Sequence, residues 1–78
     1  MTRTQITLFN CYSRFMREWL KTYSDGLYHY ELTHYSLSIH TGKKLISWQI
    51  MEKIKEITRN VSWEIRYDEN GLIIKFWK

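Results

Sequence analysis

The chain has 78 residues, which is the length of one small domain, so we treat residues 1–78 as a single unit. Its formal net charge is +4 and its sequence pI is about 9.3, an excess of positive charge that favours polyanionic partners. The sequence contains no signal-like N-terminal segment, no apolar run long enough to span a membrane, and only one cysteine, Cys11. We therefore expect a cytoplasmic protein without membrane spans, in which Cys11 is a small buried side chain.

The first predicted element is a long amphipathic helix from Thr4 to Ser24. Its apolar side chains recur at helical spacing and form one face: Leu8, Phe9, Tyr12, Phe15, Met16, Trp19, Leu20 and Tyr23. The opposite face carries Arg3, Asn10, Arg14, Arg17 and Lys21. The pattern predicts a helix that packs through aromatic side chains and presents basic side chains to solvent.

The second segment, Leu27–His40, has two interpretations. Apolar side chains alternate with polar ones on either side of Thr33-His34, which predicts a β-hairpin with a two-residue turn there. This register pairs Leu32 with Tyr35, Tyr30 with Leu37, and Tyr28 with Ile39. The alternative is a helix, because Tyr28, Leu32, Tyr35 and Ile39 also share one helical face. Three helices followed by a hairpin would be a winged helix.

A second amphipathic helix is predicted from Lys44 or Ser47 to Asn60, with an apolar stripe of isoleucines. A hairpin follows, and its turn is predicted at Asn70-Gly71 as type I′. Its strands place apolar side chains on one shared face: Val61, Trp63, Ile65, Tyr67, Leu72, Ile74 and Phe76. Trp19, Trp63 and Phe76 are expected in the core, whereas Trp77 is expected to be largely exposed on the outer face.

These elements predict an α+β fold with the order α-β-β-α-β-β. The arrangement that buries every apolar face is a four-stranded antiparallel sheet with two amphipathic helices on one face. The winged helix is the alternative.

No catalytic, cofactor or metal site is predicted. His29, His34 and His40 are close in sequence, but their spacing matches no structural zinc pattern, so we interpret them as surface histidines. The acidic residues are scattered over turns and strand exteriors, and no serine lies in a nucleophile elbow. Thr41-Gly42-Lys43 lacks the upstream glycine of a phosphate-binding loop. We therefore expect a protein that is not an enzyme.

Two predicted surfaces combine the side chains that bind nucleic acids. The first is the outer face of the first helix, with Asn10, Arg14, Arg17 and Lys21, because arginine and asparagine suit phosphate and base-edge contacts. The second is the outer face of the sheet, with Arg66, Lys75 and Trp77, where basic and aromatic groups can hold unpaired bases. The sequence therefore favours a small non-enzymatic protein that binds DNA or RNA.

The alternative function is a protein-binding inhibitor or adaptor of the phage or mobile-element type. Small size, high aromatic content and the absence of a catalytic motif suit such a protein. Its partner would offer an acidic surface, and Trp77 beside Ile73 would anchor the interface. Open sheet edges also allow a homodimer.

Overall fold

In a computed structural model, which describes residues 1–24, 29–42 and 46–78, the chain forms two helices and four strands. They are, in chain order, α1 (Arg3–Tyr23), β1 (His29–Leu32), β2 (Ser36–His40), α2 (Trp48–Ile57), β3 (Ser62–Asp68) and β4 (Gly71–Trp77). The predicted α+β fold and its element order are confirmed. The winged-helix alternative is wrong, since the middle segment contains a pair of antiparallel strands.

Helix α1 begins at Arg3, one residue before the predicted start, because Thr2 and Gln5 form a capping box. The Gln5 backbone N–H donates to the Thr2 hydroxyl at 3.1 Å, and the Thr2 N–H donates to the Gln5 side chain at 2.8 Å. Ser24 ends the helix in the left-handed region, at φ 60°. Leu20, predicted on the apolar face, is 43% exposed. Trp19 and Tyr23, whose ring centroids are 4.3 Å apart, fill the inner side of this last turn instead.

Helix α2 is shorter than predicted and is fixed at both ends by hydroxyl groups. Its N-cap is Ser47, whose side chain accepts a hydrogen bond from the Ile50 N–H at 3.2 Å. The Ser47 N–H donates to the Tyr23 hydroxyl at 2.7 Å, which joins the start of α2 to the end of α1. Thr58 closes the last turn against the Ile54 carbonyl, so the helix ends before Asn60. Among the helices of the described ranges, none is both long and apolar enough to cross a membrane.

The sheet is antiparallel throughout, with the strand order β1-β2-β4-β3. Strand β4 therefore lies in the centre, between β2 and β3, while β1 and β3 are the edges. Both helices pack on the same face, and the side chains of that face and the helices form one core. Its most buried members are Leu8, Phe15, Trp19, Leu37, Ile39, Ile50, Ile54, Leu72, Ile74 and Phe76.

The turn of the first hairpin lies one residue later than predicted. Leu32 pairs with Leu37 and Tyr30 with Ile39, so His34 and Tyr35 form the turn. The Thr33 hydroxyl explains the shift, because it accepts hydrogen bonds from the N–H groups of Tyr35 at 3.3 Å and Ser36 at 3.0 Å. Tyr35, predicted to face the core, is therefore 72% exposed, and the Tyr28 position lies outside the described residues.

The turn of the second hairpin lies one residue earlier than predicted. Asp68 pairs with Gly71, so Glu69 and Asn70 form the turn. Neither has a positive φ, which rules out the type I′ turn. The Asp68 carboxylate accepts a hydrogen bond from the Asn70 N–H at 2.8 Å and holds the turn in its observed form. Gly71 follows at φ 126°, and a Cβ there would lie 2.6 Å from the carbonyl carbon of Gly42.

Two of the four tryptophans differ from expectation in how deeply they are buried. Trp19 and Phe76 are fully buried, as predicted. Trp63 faces the core but is only partly buried, because β3 is an edge strand with a neighbour on one side. Trp77 lies on the outer face, as predicted, but it is half-buried rather than largely exposed. It belongs to the central strand, so it has Ser36 and Ser62 as cross-strand neighbours on its two sides.

Candidate nucleic-acid interface

Helix α1 presents its predicted basic side chains to solvent. Asn10, Arg14, Arg17 and Lys21 are all exposed, because the opposite face of the helix is the one that packs on the sheet. Arg14 and Arg17 are three residues apart, and Lys21 is four residues further on, so they follow one side of the helix over two turns. The seven residue steps from Arg14 to Lys21 rise by about 10 Å along the helix axis.

Arg14, Arg17 and Lys21 line a groove between α1 and α2. The other side of this groove is formed by Lys53, Glu56 and Ile57 of α2, and Glu18 of α1 also lines it. We call this the α1–α2 groove. It contains three of the predicted site residues. It also contains Lys53, which was not predicted, because its position beside them depends on how the two helices pack. Asn10 is on the same helix but does not line the groove.

The charges of the α1–α2 groove are unequally paired. Lys21 Nζ is 3.4 Å from Glu18 Oε1, and Lys53 Nζ is 3.3 Å from Glu56 Oε2. Within the described part of the chain, Arg14 and Arg17 have no carboxylate partner. The groove therefore has four cationic side chains against two carboxylates, and the surplus resides in two adjacent guanidinium groups. Guanidinium groups bind phosphate through two parallel hydrogen bonds, and an unpaired one has all its donors available.

The outer sheet face carries the other three predicted residues, but one of its two predicted cationic side chains is paired with a carboxylate. Arg66 Nε is 3.0 Å from Glu64 Oε1, so this cation already has a partner. Lys75 and Trp77 line a shallow depression with Tyr35, Ser36, Glu64 and Lys78. Tyr35 and Lys78 were not predicted there; the Lys78 N–H donates to the Tyr35 carbonyl at 3.3 Å, a contact that depends on the shifted turn. The sequence offered no signal for either.

The protein-binding anchor expected on this face is only partly exposed. Trp77 and Ile73 are both half-buried on the outer face of β4. Trp48, at the start of α2, is 72% exposed and is the more accessible tryptophan. No sequence pattern distinguishes it, since a tryptophan just after an N-cap can face either the core or solvent.

Cys11 is buried and poorly suited to nucleophilic chemistry. Burial raises the pKa of its thiol, and the positive charges of Arg14 and Lys78 only partly oppose this effect. Its Sγ lies 3.9 Å from the Ile57 carbonyl. The thiol is therefore protonated at neutral pH and inaccessible, as expected of a packing residue. Burial, and then the neighbouring Tyr30, likewise raise the pKa of Tyr12.

The three histidines do not lie together. His29 and His40 face each other across β1 and β2 on the outer sheet face, whereas His34 is in the exposed turn of the hairpin. The His29 and His40 rings are stacked, with centroids 4.4 Å apart and planes 8° from parallel. Glu31, two residues along β1 from His29, has its carboxylate 4.0 Å from the His29 Nε2.

Comparisons with protein-family models, with curated protein sequences and with solved structures found no match to this chain.

Proposed function

We propose that this protein is not an enzyme and binds nucleic acid, and that the α1–α2 groove contacts the phosphate backbone. The observation that carries the proposal is the pair of exposed, unpaired guanidinium groups of Arg14 and Arg17 at the edge of this groove. Lys21 and Lys53 extend the positive surface, and each is paired with a carboxylate of its own helix: Glu56 is exposed, whereas Glu18 is 26% exposed. Exposed ion pairs of this kind contribute little to stability, so a phosphate can compete for the lysines at small cost.

The dimensions of the basic surface suit a polynucleotide. A duplex strand carries one phosphate per 3.4 Å of helix axis, so about three phosphates lie along the ~10 Å from Arg14 to Lys21. Contacts of this kind position a protein on the backbone and do not read the base sequence. We therefore expect binding with little sequence preference. The outer sheet face is the second choice for this contact, because Arg66 is paired with Glu64.

The proposal includes a cytoplasmic location. It is supported by the single cysteine, which cannot form an intramolecular disulfide and is buried in its thiol form.

The test compares two double variants with the same net charge. Arg14→Glu/Arg17→Glu changes the groove, and Lys55→Glu/Arg59→Glu changes two exposed cations on and after α2 that do not line it. We expect the groove variant to bind a fluorescent 24-mer DNA or RNA about a hundredfold more weakly, because two charge-assisted contacts are lost. The control variant should stay within a few-fold of the wild type. Fluorescence anisotropy at several salt concentrations measures both.

Single alanine substitutions then give the number of phosphate contacts. Arg14→Ala and Arg17→Ala should each reduce the slope of log K against log salt by about one, since each removes one phosphate contact. Equal losses in the two double variants would show that only net charge matters and would contradict the groove as the contact surface. An Arg66→Glu/Lys75→Glu variant that alone loses binding would transfer the interface to the outer sheet face.

The protein-binding inhibitor or adaptor is the second candidate, favoured by the 72% exposure of Trp48. A large aromatic side chain left in solvent at the start of a helix is typical of an interface anchor. A protein partner, including a second copy of the chain, would lose affinity in Trp48→Ala while nucleic-acid binding stayed unchanged. Sedimentation equilibrium of the wild type and of this variant checks the homodimer directly.

A further inference from the structure

The geometry points to a metal site on the outer face of the β1–β2 hairpin, in which His29, Glu31 and His40 bind one Zn²⁺ ion. One ligand atom from each of these side chains lies within 4.8 Å of the others. Two imidazoles and one carboxylate are a donor set that zinc uses when a water molecule completes its coordination. No metal site was expected from the sequence, because the histidine spacing matches no structural zinc pattern and the expected register did not pair His29 with His40.

The strand register holds the three side chains together. His29 and His40 are direct cross-strand partners, and Glu31 follows His29 by two residues, so all three project from the same face of the sheet. This face is opposite to the one that the helices cover. Because β1 and β2 are joined by a turn with five hydrogen bonds between Thr33 and residues Tyr35 and Ser36, the register cannot slip without losing them.

To bind a shared ion, the His29 and His40 rings must turn out of their parallel stack, so that a nitrogen lone pair of each points at the metal. Zinc–nitrogen and zinc–oxygen bonds of about 2.0–2.2 Å place tetrahedral ligand atoms roughly 3.3 Å apart. The side chains of His29 and Glu31 are 56% and 68% exposed, so rotation about their side-chain bonds meets little resistance. An ion also replaces the weak 4.0 Å contact between His29 and Glu31 with two shared bonds.

The surroundings leave space for an ion and for water. A depression beside the two imidazoles is lined by His29, His40, Gly42 and Asn70. Ser38 lies opposite Glu31 in the register, and Lys75 of β4 is the next side chain across the sheet. One carboxylate with two neutral imidazoles favours a borderline ion such as Zn²⁺ over Mg²⁺, which prefers oxygen ligands and keeps its water shell.

The test titrates Zn²⁺ into the untagged full chain against a chromophoric chelator. We expect one ion per chain, and at least a tenfold weaker affinity in His29→Ala, in His40→Ala and in Glu31→Gln. The matched control is His34→Ala, which removes an exposed histidine three residues beyond Glu31 and should leave the affinity unchanged. Mg²⁺ at the same concentration should give no saturable binding. Far-UV circular dichroism of each variant without metal checks that it is folded.

A second measurement does not depend on the chelator. Zn²⁺ bound to both strands should shift the imidazole ¹⁵N resonances of His29 and His40 but not those of His34. It should also raise the melting temperature of the wild type and not that of His40→Ala, because only a folded hairpin holds the ligands together. Zinc affinity equal in the wild type and in a His29→Ala/His40→Ala variant would overturn the site, as would one ion shared between two chains.

Discussion

Trp19 is fully buried, yet its indole N–H has no hydrogen-bond partner within the described part of the chain. Its contribution to stability therefore comes from packing, against Phe15 at 5.6 Å and Tyr23 at 4.3 Å between ring centroids. An unpaired buried donor costs about 1–3 kcal/mol, so the packing of this residue must more than offset that amount. Trp63, in contrast, is on an edge strand and is only partly buried.

The two tryptophans should therefore respond differently to truncation. Trp19→Ala should lower the free energy of unfolding by about 3–5 kcal/mol, a large fraction of what a small domain possesses. Trp63→Ala should cost roughly half as much, because solvent already reaches the side chain. Urea unfolding followed by far-UV circular dichroism measures both without relying on tryptophan fluorescence. A Trp63→Ala variant as destabilised as Trp19→Ala would show that β3 is covered in solution.

At the residue scale, sequence periodicity predicted which way a side chain points better than it predicted how deeply the side chain is buried. Leu8, Phe15 and Trp19 were expected on the inner face of α1 and are buried there, but Leu20 is 43% exposed. Direction follows from the 100° step of a helix, which the sequence contains. How much of a side chain is shielded from solvent depends on which helix or strand packs against it. That packing follows from the strand order and from the placement of the helices. For the same reason, Lys53 was not predicted to line the α1–α2 groove: its place there depends on how α2 packs beside α1.

At the element scale, the two hairpins were predicted and both turns were misplaced by one residue. The first turn was placed at Thr33-His34 from the alternation of apolar side chains, and the second at Asn70-Gly71 because those residues favour positive φ. In both hairpins the residue before the turn supplies an oxygen instead: Thr33 accepts from the Tyr35 N–H, and Asp68 accepts from the Asn70 N–H. A one-residue shift of the turn moves the pairing by two residues, so every strand side chain keeps its predicted face. Tyr35 moved from a strand into the turn, and Tyr67, expected on the apolar face of the second hairpin, is 55% exposed.

Gly71 is the turn-adjacent residue whose identity matters most. Its φ of 126° is strained for any L side chain, and an added Cβ would lie 2.6–2.8 Å from backbone atoms of Gly42. Because all three atoms belong to the backbone, none can move aside by a side-chain rotation. Gly71→Ala should therefore destabilise the protein by more than the ~1–3 kcal/mol that such a backbone conformation costs alone.

The control for Gly71→Ala is Glu69→Ala, two residues earlier in the same turn, where φ is negative and the side chain is exposed. Its effect should stay within about 0.5 kcal/mol. Thermal unfolding of the two variants side by side gives the comparison. Equal melting temperatures would mean that the start of β4 and Gly42 can separate without penalty.

At the scale of the whole molecule, the two proposed binding surfaces are on opposite sides of the sheet. The α1–α2 groove belongs to the helical layer, whereas His29, Glu31 and His40 project from the uncovered face. A phosphate backbone on one side and a metal ion on the other therefore do not compete for space. Groove variants should leave zinc affinity unchanged, and histidine variants should leave nucleic-acid affinity unchanged, so the two proposals fail or succeed separately.

The central position of β4 makes the sheet depend on a strand that is distant in sequence. Residues of β2 pair with residues of β4 roughly 30 to 40 positions later. A fragment of residues 1–60 contains α1, the first hairpin and α2 but leaves the inner edge of β2 unpaired, with Leu37 and Ile39 uncovered on one side. We expect this fragment to associate rather than fold. A monomeric fragment with native-like dispersion of its amide resonances would contradict this.

During synthesis, the large sequence separation of β2 and β4 means that β2 is made several seconds before its partner strand. Translation at about 5–20 residues per second makes β4 some two to eight seconds after β2 has been added to the chain. Until β4 is available, the edge of β2 that pairs with it is open, and this is the part of the molecule on which other nascent chains could pair. Demand for a chaperone should therefore be concentrated in those seconds and should end once β4 is inserted.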